Sequence, residues 1–166
     1  TYRAGQRAGK EKIVLDSTIR NLFNDDILRE AMRRYDIAPS DIEQGGGFES
    51  FIYRYTRDDE RFILRLTHTF RRTPELIRGE VDWINYLAAG GATVARAVVS
   101  AGGELVEEID DGAGGRFLAT AFTHASGRQP RPDDWTPALR ETYGRLIGRM
   151  HALTKAYEPA DPAWRR

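Results

Sequence analysis

Between residues 45 and 80 the sequence sets out three groups that could handle a phosphate together. Gly45-Gly46-Gly47 runs into Phe48-Glu49-Ser50, Arg65 lies inside the apolar run Phe62-Ile63-Leu64-Arg65-Leu66, and Glu80 lies among Leu76, Ile77, Val81, Trp83, Ile84, Leu87 and Ala88. Glycines on a turn let backbone N–H groups approach an oxygen without interference from a Cβ. A guanidinium in an apolar strand and a carboxylate on an apolar helix face are each costly to bury alone, and each could neutralise the other. Singly the three have plainer readings: a flexible turn, an arginine on a solvated strand face, and a glutamate held by a structural cation. Together, in that order, they describe a clamp for the phosphates of a nucleotide. The turn is neither a Walker loop nor a dinucleotide fingerprint, because no Gly-Lys-Ser/Thr follows and the next element reads as a strand rather than a helix.

The elements that must position these groups are readable from period and punctuation. Phe51, Tyr53 and Tyr55 alternate with Ile52 and Arg54, and Phe62, Leu64 and Leu66 alternate with Ile63, Arg65 and Thr67. With Arg57-Asp58-Asp59-Glu60 between them, this predicts a hairpin in which Arg65 shares a face with Ile63. Thr73-Pro74-Glu75 predicts a helix start and Gly90-Gly91 its stop, with Arg78, Asp82 and Asn85 opposite the apolar arc. An earlier helix is expected from Asn24 or Asp25, with Ile27, Leu28, Ala31, Met32 and Tyr35 on one face, ending near Asp36 because Ala38 precedes Pro39. Short strands are expected over residues 95–99, 104–109 and 116–122. Residues 123–134 read as a connector. Thr136-Pro137 then opens a long helix to about Tyr157, with Leu139, Tyr143, Leu146, Ile147, Met150, Leu153 and Tyr157 as its apolar stripe. The expected organisation is a lead-in at 1–22, a sheet-and-helix domain at 23–122, a hinge or linker at 123–134, and the start of a second, helical domain at 135–166.

Composition narrows the function classes. Lys plus Arg and Asp plus Glu both number 25, so no net charge steers the chain toward nucleic acid or an anionic membrane. There is no cysteine, which excludes a disulfide framework and a thiolate metal site. No apolar run approaches the ~20 residues of a membrane span, and no leader peptide is evident, so the expected location is the cytoplasm. His68, His124 and His151 show no metal-ligand spacing, and His151, flanking an apolar helical face, reads as structural.

The order of Gly turn, strand cation and helix glutamate is that of a protein-kinase N-lobe, and the local sequence makes the likeness more specific. Gly46-Gly47-Phe48-Glu49-Ser50-Phe51-Ile52-Tyr53 resembles the Gly-Gly-x-Ser-Asn-x-Val-Tyr loop of the aminoglycoside phosphotransferase and choline-kinase-like family. Glu49 and Ser50 stand where that loop has serine and asparagine. Phe62-Ile63-Leu64-Arg65 resembles the strand bearing the phosphate-contacting cation, and Glu80 the helix glutamate. Phe117 to Gly127 resembles the hinge strand with its closing glycine, and Met150-His151-Ala152-Leu153 the helix that begins the C-lobe.

The resemblance implies an α+β fold: an antiparallel sheet with one packed helix, as in a kinase N-lobe, plus the first helix of a helical C-lobe. It implies that Gly46, Gly47 and Ser50 cover the phosphates of ATP and that Arg65, held by Glu80, contacts the α- and β-phosphates. It also implies that Phe122 backs the adenine, whose edge meets the Thr123 carbonyl and the Ala125 N–H. The expected partners are the nucleotide, a small-molecule alcohol as acceptor, and a C-lobe. The family's His-Gly-Asp…Asn loop and Asp-x-Asp segment have no counterpart here, so the catalytic residues and those that hold Mg²⁺ are expected outside this chain. The chain therefore reads as the first half of a longer kinase, inactive alone. The alternatives are a non-catalytic nucleotide-binding or regulatory module, and an α+β domain with no ligand.

Overall fold

The computed structural model describes residues 17–47 and 49–164. Phe48, inside the glycine-rich loop, and residues 1–16 of the lead-in lie outside the described residues. The order of elements is α1 (Ser17–Leu22), α2 (Asp25–Arg34), β1 (Ile42–Gln44), β2 (Phe51–Arg57), β3 (Glu60–His68), α3 (Pro74–Ala89), β4 (Ala97–Val98), β5 (Glu107–Asp110), β6 (Arg116–Thr123) and α4 (Pro137–Thr154), with three 3-10 turns at Pro39–Asp41, Pro132–Asp134 and Pro162–Trp164. The sheet is antiparallel throughout, in the order β1-β2-β3-β6-β4, with β5 on the same edge of β6 as β4.

Local chemistry sets the boundaries. The Asn24 side chain accepts the N–H groups of Asp26 at 2.9 Å and Ile27 at 3.1 Å and so caps α2. That helix closes at Tyr35, and Asp36 turns the chain with a φ of 51°. Asp58 and Asp59 both take positive φ, 51° and 63°, the conformation a two-residue hairpin needs to match the twist of its strands. Thr73 caps α3 through the Leu76 N–H, and Thr136 caps α4 through the Leu139 N–H.

Both faces of the sheet are covered. One face carries Tyr53, Tyr55, Leu64, Leu66, Phe117, Ala119 and Ala121, packed against Ile19 of α1 and Ile27, Ala31 and Met32 of α2. Ile19 joins this core although it falls in the segment read as a lead-in. The other face carries Arg65, Leu118 and Phe122, and α3 lies over it through Ile77 and Val81. The expectation of a single packed helix is thus extended by α1 and α2 on the back of the sheet. Strand β1 is a further addition: three residues without a marked apolar alternation gave no sequence signal, and pairing with β2 holds them.

A buried His–Asp pair ties the hairpin of β5 and β6 to the end of β3. Phe70 donates its backbone N–H to His68 Nδ1 at 3.1 Å, so the ring proton is on Nε2, which donates to Asp111 Oδ2 at 2.8 Å. The two side chains are 6% and 1% exposed. Burial pushes the Asp111 carboxyl up, but the bonds from His68 and from the Ala113 and Gly115 N–H groups outweigh it and hold the carboxyl below its ordinary range. A lowered folded value means that the stabilisation is fully present above the unfolded carboxylate range and is lost as pH falls through the lowered, folded value. Asp111→Ala is therefore expected to cost about 2 kcal/mol at neutral pH, the penalty of leaving buried donors unpaired. Urea melts at neutral and acid pH should show that difference shrinking as pH falls through the lowered native value, where the native carboxylate protonates as well. An equal loss at both pH values would assign the effect to packing instead.

Candidate phosphate-binding site

The register of β2, β3 and β6 builds the site row by row. Ile52 lies opposite Arg65, and Arg65 opposite Thr120, while Ile63 lies opposite Phe122. Cross-strand partners point to one face, so Ile52, Ile63, Arg65, Thr120 and Phe122 all face α3. Arg65 Nη1 meets Glu80 Oε1 at 2.7 Å, and Arg65 Nε donates to Thr120 Oγ1 at 3.2 Å. The guanidinium carbon stands 5.0 Å from the centre of the Phe122 ring. The expected Arg65–Glu80 pairing is present, with side chains only 21% and 24% exposed.

Arg65 Nη2 is buried and has no hydrogen-bond partner among the described residues. A buried donor left unsatisfied costs about 1–3 kcal/mol, and more when charged. Glu80, Thr120 and Phe122 hold the guanidinium while leaving Nη2 uncommitted. A guanidinium nitrogen held in place with its N–H groups unpaired is a donor suited to an oxygen of a phosphate or carboxylate.

Arg65 lines a cleft of about 790 Å³, bounded by Glu49, Ser50 and Thr67 on one side and by Glu80, Trp83 and Trp164 on another. Arg71 and Arg72, in the turn after β3, also line it. They add positive charge that sequence reasoning did not assign to the site. Ser50 is fixed by a 2.9 Å hydrogen bond between its hydroxyl and that of Thr67. The preceding turn is closed by Gly45, which donates its N–H to the Ile52 carbonyl at 2.7 Å. A Cβ on Gly47 would lie 2.1 Å from the Ser50 carbonyl oxygen, so only glycine fits there, whereas nothing lies within 4 Å of a Cβ on Gly46. Gly46 and Gly47 border the site from the β1–β2 turn without lining the cleft itself.

The structure does not bring every predicted residue into this cleft. Phe122 meets the Arg65 guanidinium through its ring but is not part of the cleft lining. Thr123 and Ala125 lie beyond it at the end of β6, outside the cleft lining. Thr123 donates its backbone N–H to the Arg96 carbonyl at 2.8 Å, and its hydroxyl accepts the Arg96 N–H at 2.9 Å. His124 N–H goes to the Arg61 carbonyl at 2.9 Å. His151 is exposed on α4. Among the described residues no group of three or more His, Cys, Asp or Glu could hold a metal ion. Nor is any helix among them long and apolar enough to cross a membrane.

The tail after α4 also reaches the site. Tyr157, Glu158, Pro159 and Trp164 line the cleft beside Trp83 and Ile84 of α3. The arc of α3 read as one apolar stripe is thus divided. Ile77 and Val81 enter the core, and Trp83 and Ile84 face this tail. The opposite positions are partnered as well: Arg78 bonds Glu108, Asn85 bonds the backbone of Ala97, and Asp82 bonds Tyr157.

Comparison with known proteins finds relatives among small-molecule kinases. The amicoumacin kinase of Bacillus subtilis (strain 168) is 36% identical over 149 residues, which are 89% of this chain and 44% of that protein. A solved structure of the amicoumacin kinase hAmiN in complex with AMP-PNP, Ca²⁺ and Ami superposes with a TM-score of 0.86 at 36% identity, over 92% of this chain and 46% of that one. A microcompartment-associated aminopropanol kinase shares the fold, with a TM-score of 0.68 at 22% identity over 86% of this chain and 44% of its own. The chain thus spans less than half the length of these relatives, and its antiparallel sheet and helices have the architecture of a kinase-like N-lobe followed by a further helix, α4. Residues 42–166 match the phosphotransferase enzyme family, and the chain belongs to that family.

Proposed function

We propose that this chain is the nucleotide-binding half of an ATP-dependent kinase that phosphorylates an alcohol group on a small molecule. The observation that carries this reading is Arg65: a guanidinium pinned by Glu80, with a buried Nη2 that has no partner among the described residues, on a side chain that lines a cleft. The similarity to a kinase solved with AMP-PNP and Ca²⁺ supports it.

In this reading Arg65 takes oxygens of the α- and β-phosphates, and Glu80 keeps the fork aimed at them. The turn at Gly46 and Gly47, with Ser50, covers the phosphates from the sheet side. Ile52 and Ile63 offer the base an apolar ceiling, Phe122 closes its back, and the Thr123 carbonyl and Ala125 N–H meet its edge. Phosphoryl transfer needs a carboxylate to orient the acceptor hydroxyl and others to hold a divalent ion. In the resemblance both come from the half of the kinase that this chain does not span, where the ion would neutralise charge on the phosphates. The acceptor pocket belongs there too, so the alcohol is not named.

Titration of a fluorescent ATP analogue into residues 1–166 tests the reading. The expected result is saturable binding, displaced by unlabelled ATP, with no phosphate transfer by these residues alone. Absence of saturable binding would overturn it. Nucleotide affinity independent of Mg²⁺ in protein carrying the rest of the kinase would instead mark a non-catalytic binding module.

A further inference from the structure

The helix that carries Glu80 is held from two directions. Residues 80 and 82 are separated by about 200° around an α-helix, so Glu80 and Asp82 project to different sides of α3. Glu80 engages β3 through Arg65, and Asp82 engages the chain after α4. Asp82 Oδ2 accepts the Tyr157 hydroxyl at 2.7 Å and the Ala160 N–H at 3.2 Å. The Tyr157 ring lies 5.1 Å from that of Tyr86, on the same helix. At the N-terminal end of this contact, Gly79 admits the Trp164 backbone so closely that a Cβ would lie 2.7 Å from the Trp164 carbonyl oxygen. Further along, Trp83 Nε1 donates to Thr154 Oγ1 at 3.0 Å, and the Tyr86 hydroxyl donates to the Leu153 carbonyl at 3.3 Å. Arg149 Nη2 donates to the Gly90 carbonyl at 2.6 Å. From Gly79 to Gly90, α3 is therefore tied along one side to residues 149–164.

We propose that Asp82 is a positioning residue: it latches the segment after α4 onto α3 and, through the rigid helix, keeps Glu80 seated on Arg65. The physical reason is leverage. In the core α3 is fixed by Ile77, Val81 and Leu87, and the Arg78–Glu108 and Asn85–Ala97 bonds hold its sheet-side flank, which leaves rotation about the helix axis to be opposed from the remaining side. Glu80 lies between Ile77 and Val81, and a small rotation moves its carboxylate off a 2.7 Å hydrogen bond. Asp82 supplies a charged contact on that side, to residues 157 and 160, and so restricts that rotation. Its two donors come from residues 157 and 160, beyond the hinge, so the seating of the phosphate-binding arginine depends on where the second domain begins. The affinity readout below rests on the nucleotide reading given above. The latch itself does not.

The test uses the full chain with Asp82→Ala, Asp82→Asn and Tyr157→Phe. Asparagine retains an acceptor oxygen for both donors, alanine retains none, and phenylalanine removes one donor without touching α3. Two signals are read: the Arg65 Nε–H resonance in ligand-free protein, and the Kd for a fluorescent ATP analogue. In Asp82→Ala the Arg65 resonance is expected to shift or broaden and the Kd to rise about fivefold. Tyr157→Phe should give a smaller change of the same kind, and Asp82→Asn should restore both signals. In a Glu80→Gln background, Asp82→Ala should add nothing further to the Kd, since both act through one contact. An unchanged Arg65 resonance in Asp82→Ala, or losses that simply multiply in the double variant, would overturn the latch. If wild type binds no nucleotide while the Arg65 resonance still responds to Asp82→Ala, the proposed function falls and the latch stands.

Discussion

Replacing Arg65 with alanine is expected to weaken binding of an ATP analogue by about a hundredfold. Charge-assisted hydrogen bonds are worth about 1.5–3 kcal/mol each, and every 1.4 kcal/mol is roughly tenfold in affinity. One or two bonds from Nη2 and its neighbour to phosphate oxygens account for that range. Arg65→Lys should recover only part of it. A single ammonium cannot hold Glu80, reach Thr120 and still present a planar edge to the ligand. Arg72→Ala, in the same cleft but exposed, should cost much less, because a solvated cation is screened. Arg29, on α2, has a side chain 70% exposed and pairs with Asp26; its alanine variant should bind like wild type. Isothermal titration of the four variants at one salt concentration decides the matter. Equal losses for Arg65→Ala and Arg72→Ala would show diffuse charge at work rather than a seated fork.

The largest expected effect on stability is at Phe117. Its side chain is fully buried on β6, in a cluster where Phe23 and Phe51 stack at 3.9 Å between ring centres and both meet Phe117 at an angle, 5.4 and 6.1 Å away. The His68 ring contacts it edge-on at 4.8 Å. Phe117→Ala would open a cavity shared by a helix-capping loop, two strands and the His–Asp pair, and such truncations cost about 3–5 kcal/mol. Domains of this kind hold roughly 5–15 kcal/mol in all, so chemical denaturation should show a large fall in midpoint. A loss under about 1 kcal/mol would mean that the aromatic cluster collapses freely around the gap. Because Phe117 faces away from Arg65, nucleotide affinity of the folded fraction should change little.

The sequence showed the groups of the site more clearly than it showed how they meet. The hairpin over β2 and β3 was legible because its apolar residues alternate and Asp58-Asp59 sit where a tight turn belongs. Once that hairpin is accepted, the face shared by Arg65 and Ile63 follows. Glu80 was legible because a carboxylate in an apolar arc calls for a cation. Thr120 was not, since it reaches Arg65 only through the register of β6 against β3, which no local pattern encodes. Strand β1 and helix α1 escaped for a related reason: each is short, and each is held by partners elsewhere in the chain rather than by its own period. The engagement of Asp82 by Tyr157 was equally hidden, because a polar residue opposite an apolar arc reads as solvated until a distant tyrosine is found against it.

The two-residue turn at Asp58-Asp59 carries a consequence for how this chain can change over evolutionary time. Side chains alternate across a strand, so gaining or losing one residue there would slide β3 against its neighbours and carry Arg65 to the back of the sheet, among Tyr53, Ile27 and Ala31. No carboxylate from α3 could follow it. Point substitutions at the turn should therefore be tolerated wherever positive φ is kept, while single-residue insertions or deletions between β2 and β3 should be purged. A deep insertion–deletion scan of this hairpin would show that asymmetry as a sharp gap in the surviving variants.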